Sequence, residues 1–171
     1  MRIGLHKEIK PQENRIGLTP DSVKTLVSEG HEVLVENNGG FEAGFDNDQY
    51  KNAGARIIEK AADIFYDAEI IVKVKEPQKV EVEMIRENQI VYTYLHLAAA
   101  KELTEGLVKS KSINIAYETI TDDNGRLPLL APMSAVAGRM SVQAGAHCLE
   151  KIKKVEEYYW GELLVVNPQM F

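Results

Sequence analysis

Lys75 and His96 lie at the ends of two strand-like apolar runs, Ile70-Ile-Val-Lys-Val-Lys-Glu-Pro77 and Val91-Tyr-Thr-Tyr-Leu-His-Leu-Ala98. In an open parallel sheet, ligands bind beyond the carboxyl ends of the strands, so these two side chains should face one crevice. A fixed cation would then stand beside a group able to carry a proton near neutral pH. The stretch Lys10-Pro-Gln-Glu-Asn-Arg-Ile-Gly-Leu-Thr-Pro20 is long for a strand-to-helix connection and delivers the Arg15 guanidinium to the same place. Such a group grips a carboxylate with two parallel hydrogen bonds. Ser134 stands where Leu127-Pro-Leu-Leu-Ala-Pro-Met-Ser134 leads into a helix dense in small residues, Ala135 to His147, whose N-terminus offers N–H groups and a positive dipole to an anion.

Taken singly, each residue has a plainer explanation. Lys75 or Arg15 could be a solvated surface charge, His96 a half-buried hydrogen-bonded ring, and Ser134 a helix cap. It is the set that points to a small anionic substrate. His6, His31 and His147 have no chemistry-bearing neighbours in the sequence and read as structural. The glycines at Gly39, Gly40 and Gly44 read as turn chemistry, because no helix follows them at the spacing of a dinucleotide loop, and the chain has no GxGxxG fingerprint.

The elements that must position these residues alternate between β and α. Arg2 to Leu5 reads as a strand. Thr19 and Pro20 then open a helix that stops at Gly30, in the N-cap, N1 and C′ roles those residues favour. His31 to Glu36 is a strand, Asn37-Asn-Gly-Gly40 a turn, and Asp48 to Ala53 and Ile57 to Phe65 read as short helices. A strand ending at Lys75, a helix over Val80 to Arg86, a strand over Gln89 to Tyr94, a helix over Lys101 to Lys109 and a strand over Ile113 to Tyr117 complete the series. Repeated units of this kind predict an α/β fold, a doubly wound, mostly parallel sheet with helices on both faces, followed by the long Ala/Gly-rich helix.

Composition narrows the function classes. The chain has 171 residues, enough to bury a core without disulfides, and 44% hydrophobic and 27% charged residues are ordinary globular values. Apolar runs fall well short of a spanning helix, and the N-terminus lacks the apolar region of a secretory signal, so neither membrane insertion nor export is expected and the cytoplasm is the expected location. Cys148 is the only cysteine, which excludes an internal disulfide and a cysteine-based metal cluster. With 20 Lys plus Arg against 26 Asp plus Glu, net charge -6, and no basic run, nucleic acid is not an expected partner.

Five segments in order, His6-Lys-Glu-Ile-Lys10, Glu13-Asn-Arg-Ile-Gly-Leu-Thr-Pro20, Val72-Lys-Val-Lys-Glu-Pro77, Tyr94-Leu-His-Leu-Ala98 and Ala131-Pro-Met-Ser-Ala-Val-Ala-Gly-Arg-Met140, together resemble the substrate-binding half of the bacterial alanine dehydrogenases. The resemblance runs from Met1 to about Lys151. The related transhydrogenase α chains share the Arg15 loop and the Ala/Gly-rich helix but do not look like this around Tyr94 to Leu97. The resemblance implies NAD-dependent oxidative deamination of L-alanine to pyruvate and ammonia. It implies Arg15 and Lys75 on the substrate carboxylate and keto oxygen, His96 as general acid/base, and Met133 and Ser134 near the nicotinamide end of the cofactor. It also implies a homo-oligomer. A noncatalytic carboxylate-binding or oligomerisation module is the alternative.

The likeness stops near Lys151. In place of the family's glycine-rich linker, the chain continues Lys153-Lys-Val-Glu-Glu-Tyr-Tyr-Trp-Gly-Glu-Leu-Leu-Val-Val-Asn-Pro-Gln-Met-Phe171. Read from the third base of each codon, Tyr158, Tyr159 and Trp160 become Leu-Leu-Gly, as in that linker. The expectation is therefore a substrate domain over 1–151, a tail over 152–171 produced by one frameshift near 151–154, no NAD-binding domain, no tightly bound NAD, and no turnover by this chain alone. A natural C-terminal extension is the other explanation of the tail.

Overall fold

The computed structural model describes residues 1–150, so the expectations about the tail fall outside the described residues. Two units are distinguished, the first covering Met1–Ile120 and the second beginning at Thr121.

The first unit is built on six strands, β1 (Arg2–Leu5), β2 (Glu32–Glu36), β3 (Arg56–Ile58), β4 (Ile70–Val72), β5 (Ile90–Thr93) and β6 (Ile113–Ala116). They form one sheet in the order β3-β2-β1-β4-β5-β6, and every pairing is parallel. Strand order reverses between β1 and β4, so the crevice beyond the ends of those two strands is the place where such a sheet takes ligands. Connecting helices are α1 (Pro20–Ser28), α2 (Asn47–Asn52), α3 (Ala61–Asp67), α4 (Lys79–Val82) and α5 (Lys101–Ser110).

Both faces of the sheet are covered, which is why its central strands are apolar without interruption. On one face Ile3, Leu5, Val33, Val35 and Val72 pack with Val23 of α1 and Tyr50 of α2. On the other, Leu34, Ile71 and Val91 pack with Ile64 and Phe65 of α3 and Leu107 of α5. The alternation of Val33, Leu34 and Val35 between the two cores follows from the two-residue period of a strand. Gly4 is the small residue on the α3 side of β1. A Cβ placed there would lie 2.6 Å from Ile64 Cγ2 and 2.9 Å from Ala68 Cβ, so Gly4→Ala is expected to destabilise the unit by about 1–3 kcal/mol through overpacking, read as a lower urea midpoint with an unchanged slope.

Local chemistry sets the helix ends. Thr19 caps α1, its side chain accepting from the Ser22 N–H, with Pro20 in the first turn, and the chain leaves past Gly30 at φ 85°. Asp46 and Gln49 form a capping box on α2.

Three expected elements are corrected. Ile57 to Phe65 is not one helix: Arg56–Ile58 is strand β3 and only Ala61–Asp67 is helical. Ile57 and Ile58 pair with Val35 and Glu36 of β2, and these β-branched residues complete an edge strand before the chain turns at Lys60. The strand expected to reach Lys75 ends at Val72. Isolated bonds beyond it, Lys73 N–H to Tyr92 O at 3.0 Å and Tyr94 N–H to Val74 O at 3.4 Å, still tie the two strand ends together. The helix expected over Val80 to Arg86 is only Lys79–Val82, closed by bonds from Met84 N–H to Glu81 O and Ile85 N–H to Val82 O.

In the second unit the main element is α6, Ala131–Cys148. Pro132 lies in its first turn, so the helix begins several residues before the expected Ala135, with Leu130 at the N-cap. Met133, Val136, Met140 and Val142 are exposed on it. No helix among the described residues is long and apolar enough to cross a membrane.

Candidate functional site

The loop from β1 to α1 carries the first cation and is held at several points. Lys7 N–H donates to Glu36 Oε2 at 2.7 Å, Lys10 pairs with Glu76, and Gly17 presses so closely on β4 that a Cβ would stand 2.9 Å from the Val72 carbonyl oxygen. Where a dinucleotide-binding fold keeps its first glycine turn open for a pyrophosphate, the connection here is packed against β4. The described residues therefore do not provide a dinucleotide cradle at this position.

Arg15 leaves this loop half-exposed and is clasped by Glu13. Nε donates to Oε1 at 2.8 Å, Nη2 to Oε2 at 2.6 Å, and the Arg15 backbone N–H to Oε1 at 2.9 Å. The Glu13 side chain is only 7% exposed against 46% for Arg15, so the guanidinium is the member of the pair that meets solvent. The hydrogen bonds from Arg15 hold the Glu13 carboxyl down at about 2, against a smaller opposing effect of burial and with Lys75 adding to the lowering. Arg15 is in turn pushed up, first by Glu13, with lesser contributions from Tyr94 and Glu8.

Lys75 is half-buried just past β4, its carbonyl accepting from the Thr93 hydroxyl at 2.9 Å at the end of the neighbouring strand. Among the described residues it enters no salt bridge within 4 Å, although its charge acts on both Glu13 and Glu76. His96 is exposed beyond β5 and holds φ 51°, ψ 37°, a left-handed conformation that costs a histidine roughly 1 kcal/mol or more. Glu118, following β6, compensates: its Oε1 accepts the N–H of His96 at 2.7 Å and of Leu95 at 3.0 Å. Burial opposes these bonds, yet the Glu118 carboxyl stays below its ordinary range, with His96 contributing to the lowering. The Tyr94 and His96 rings stack at 6.3 Å, and Tyr117 meets Tyr94 edge-on at 4.9 Å while donating its hydroxyl to Lys73 O at 3.0 Å.

Of the three residues expected from the first unit, Arg15 is clasped by Glu13 and His96 stacks with Tyr94, while Lys75 acts on Glu13 through its charge without a salt bridge to it within 4 Å. Met133 and Ser134 belong to the second unit and occur within its helix. Ser134 is the fourth residue of α6 and its N–H is spent on Leu130 O at 3.0 Å, so it is not the cap expected for it. Among the described residues, no cluster of His, Cys, Asp and Glu could hold a metal ion.

Beneath the crevice lies a buried ionic cluster that sequence reading missed. Lys73 Nζ reaches Glu81 Oε1 at 2.8 Å, Glu8 Oε2 at 3.1 Å and His6 Nε2 at 2.8 Å, with all four side chains at most 2% exposed. Glu8 Oε1 accepts the Val74 N–H at 2.6 Å, which ties the cluster to the segment bearing Lys75. His6 Nε2 also lies 3.2 Å from Glu81 Oε1, a distance compatible with an ion pair, but burial and the adjacent ammonium push the ring down to about 3. The neutral ring is the better assignment. With the Nδ1 proton on the Lys7 carbonyl at 2.7 Å, Nε2 is left to accept from Lys73. One ammonium cannot balance two buried carboxylates, and burial accordingly raises Glu81 despite Lys73 beside it.

A doubly wound parallel sheet of this order is an α/β domain of the kind that takes ligands beyond its strand ends. Residues 4–137 match the family model "Alanine dehydrogenase/PNT, N-terminal domain", and the chain belongs to that family. It is 54% identical over 151 residues to an alanine dehydrogenase of Halomonas elongata and 52% identical over 151 residues to one of Geobacillus stearothermophilus, in each case over 88% of this chain and 41% of the relative. A solved L-alanine dehydrogenase superposes with a TM-score of 0.81 at 50% identity, covering 90% of this chain and 42% of the other. The transhydrogenase from Sinorhizobium meliloti follows at 0.66 and 28%, covering 70% of this chain and 36% of the other. The chain thus spans about two fifths of the length of the curated relatives it matches.

Proposed function

We propose that residues 1–151 form the substrate-binding domain of an alanine dehydrogenase, taking pyruvate or L-alanine in the crevice beyond β1, β4 and β5. What supports this reading is the placement of two cations at adjacent strand ends, Arg15 on the β1–α1 loop clasped by Glu13 and Lys75 just past β4, which pairs with β1. In this reading Arg15 and Lys75 bind the substrate carboxylate and polarise its keto oxygen. His96, exposed at the rim beside Tyr94, exchanges the proton that must move when the carbonyl carbon changes between ketone and amine oxidation states. NAD would accept the hydride when bound. It would be held by residues other than those of the first unit, with Met133 and Ser134 near its nicotinamide end. In this reading the chain alone binds substrate without turning it over, in the cytoplasm and in a symmetric assembly of the family type.

Titration calorimetry with pyruvate in the absence of NAD tests the binding role. Weak binding by the unsubstituted chain is expected, and Arg15→Ala and Lys75→Ala should each weaken it more than about tenfold, the scale of one charge-assisted hydrogen bond. Unchanged affinity in both variants would remove these residues from the site.

A further inference from the structure

We propose that Glu13 sets the charge selectivity of this crevice: its carboxylate, clasped to Arg15, lowers the positive potential that an incoming ligand meets, which suits a substrate with a single carboxylate and disfavours a dicarboxylate. The inference rests on the keto-acid reading above and adds a residue to it. The argument is a charge inventory of the crevice and of the elements packed against it. Lys10 is paired with Glu76, Lys73 is enclosed by two carboxylates, Glu8 and Glu81, and Glu118 accepts two backbone N–H groups while keeping its negative charge. In the reading above the ligand meets Arg15 and Lys75, and Glu13 is held against the first at 2.6 Å while feeling the charge of the second. Because Glu13 is nearly buried and Arg15 half-exposed, an incoming carboxylate meets the guanidinium from the solvent side. Glu13 therefore need not be displaced, and it subtracts its charge from the field that the ligand feels. A point charge one side chain away from a partly desolvated ligand is worth about a factor of ten or more in affinity for each ligand charge.

Oxamate and oxalate make the test specific. They are nearly isosteric, both resemble pyruvate, and they carry one and two negative charges at neutral pH. Their affinities would be measured by calorimetry at low ionic strength on the 171-residue chain and on Glu13→Gln and Glu13→Asp, with folding of each variant checked by circular dichroism. Glu13→Gln is expected to shift the oxalate-to-oxamate affinity ratio toward oxalate by about tenfold. Glu13→Asp, which withdraws the carboxylate without removing its charge, should weaken both ligands and leave the ratio within about twofold of the unsubstituted value. If Glu13→Gln weakens both ligands equally, Glu13 only positions Arg15 and the charge role is overturned. One measurement needs no variant: oxalate binding more than about tenfold tighter than oxamate to the unsubstituted chain also overturns it. Failure of the unsubstituted chain to bind oxamate, oxalate or pyruvate overturns the keto-acid reading itself, an outcome distinct from the other two.

Discussion

Lys73→Met is expected to destabilise the first unit by about 3–5 kcal/mol, because it strips the cation from a cluster whose two carboxylates stay buried. Methionine nearly matches lysine in length and fills the same space, so the loss would be electrostatic rather than a cavity effect. Lys73 is 1% exposed and supplies three of the cluster's contacts, to His6, Glu8 and Glu81. Without it, Glu8 keeps the Val74 N–H and Glu81 the Gln78 N–H at 2.6 Å, but neither hydrogen bond offsets an uncompensated buried charge. A double variant in which Glu8 is also replaced by glutamine should recover a substantial part of the loss, since removing both members of a buried pair is far less costly than removing one. Urea unfolding of the single and double variants checks this. A single variant within about 1 kcal/mol of the parent would show that the cluster contributes little, as exposed pairs do.

The placement of Lys75 and His96 at strand ends was legible in the sequence because it is local to the strands. Lys75 and His96 each close an apolar run, and a parallel sheet with alternating helices puts such ends on one edge whatever the details of packing. The cluster below was not legible. Val72-Lys-Val-Lys75 offers two lysines with equal claims, and nothing in that string says that Lys73 is the one enclosed while Lys75 stays half-exposed. Its partners Glu8 and Glu81 come from the β1–α1 loop and the first turn of α4, brought together only by the strand order that sets β1 beside β4. Glu13 stood in plain view two residues from Arg15, where opposite charges in an extended loop share a side. Its significance depends on how little of it is exposed, which a sequence does not state.

Element types survived better than boundaries. Thr19-Pro20, Gly30 and the central apolar runs fixed α1, β2 and β5 to within a residue or so. The misreading at Ile57 to Phe65 joined a three-residue edge strand to the helix after it. Both segments are apolar, and only pairing with β2 separates them. Ser134 failed as a cap because Pro132 is accepted in the first turn of a helix, so α6 could begin ahead of it.

The acid limb of the stability curve should carry the signature of His6. Its folded value of about 3 lies below the ordinary 6.5, so between those pH values the unfolded chain binds the proton that the native ring refuses. Stability associated with the neutral ring is fully present above pH 6.5 and is lost as pH falls toward 3. The loss is about 1.4 kcal/mol per pH unit at most, on the order of 5 kcal/mol over the whole window. Glu81 and Glu36, both raised by burial, act with the opposite sign: the native state holds their protons more tightly, so they favour the fold as pH falls and weaken it as pH rises through their folded values. Glu13, held down at about 2, joins the acid loss below 4.5. The parent curve alone therefore mixes several groups. Comparison with His6→Gln isolates the ring, since glutamine retains a carbonyl oxygen for Lys73 and cannot charge. The variant should be less stable than the parent at pH 7.5, and the difference should shrink by about 2–3 kcal/mol between pH 6.5 and 4.5, a window above the ordinary carboxylate range. Parallel curves for parent and variant would mean that His6 titrates alike in the folded and unfolded chain. That outcome would remove the effect of burial on the ring, whereas a difference that grows as pH falls would make the 3.2 Å approach to Glu81 a true ion pair and the neutral ring the wrong assignment.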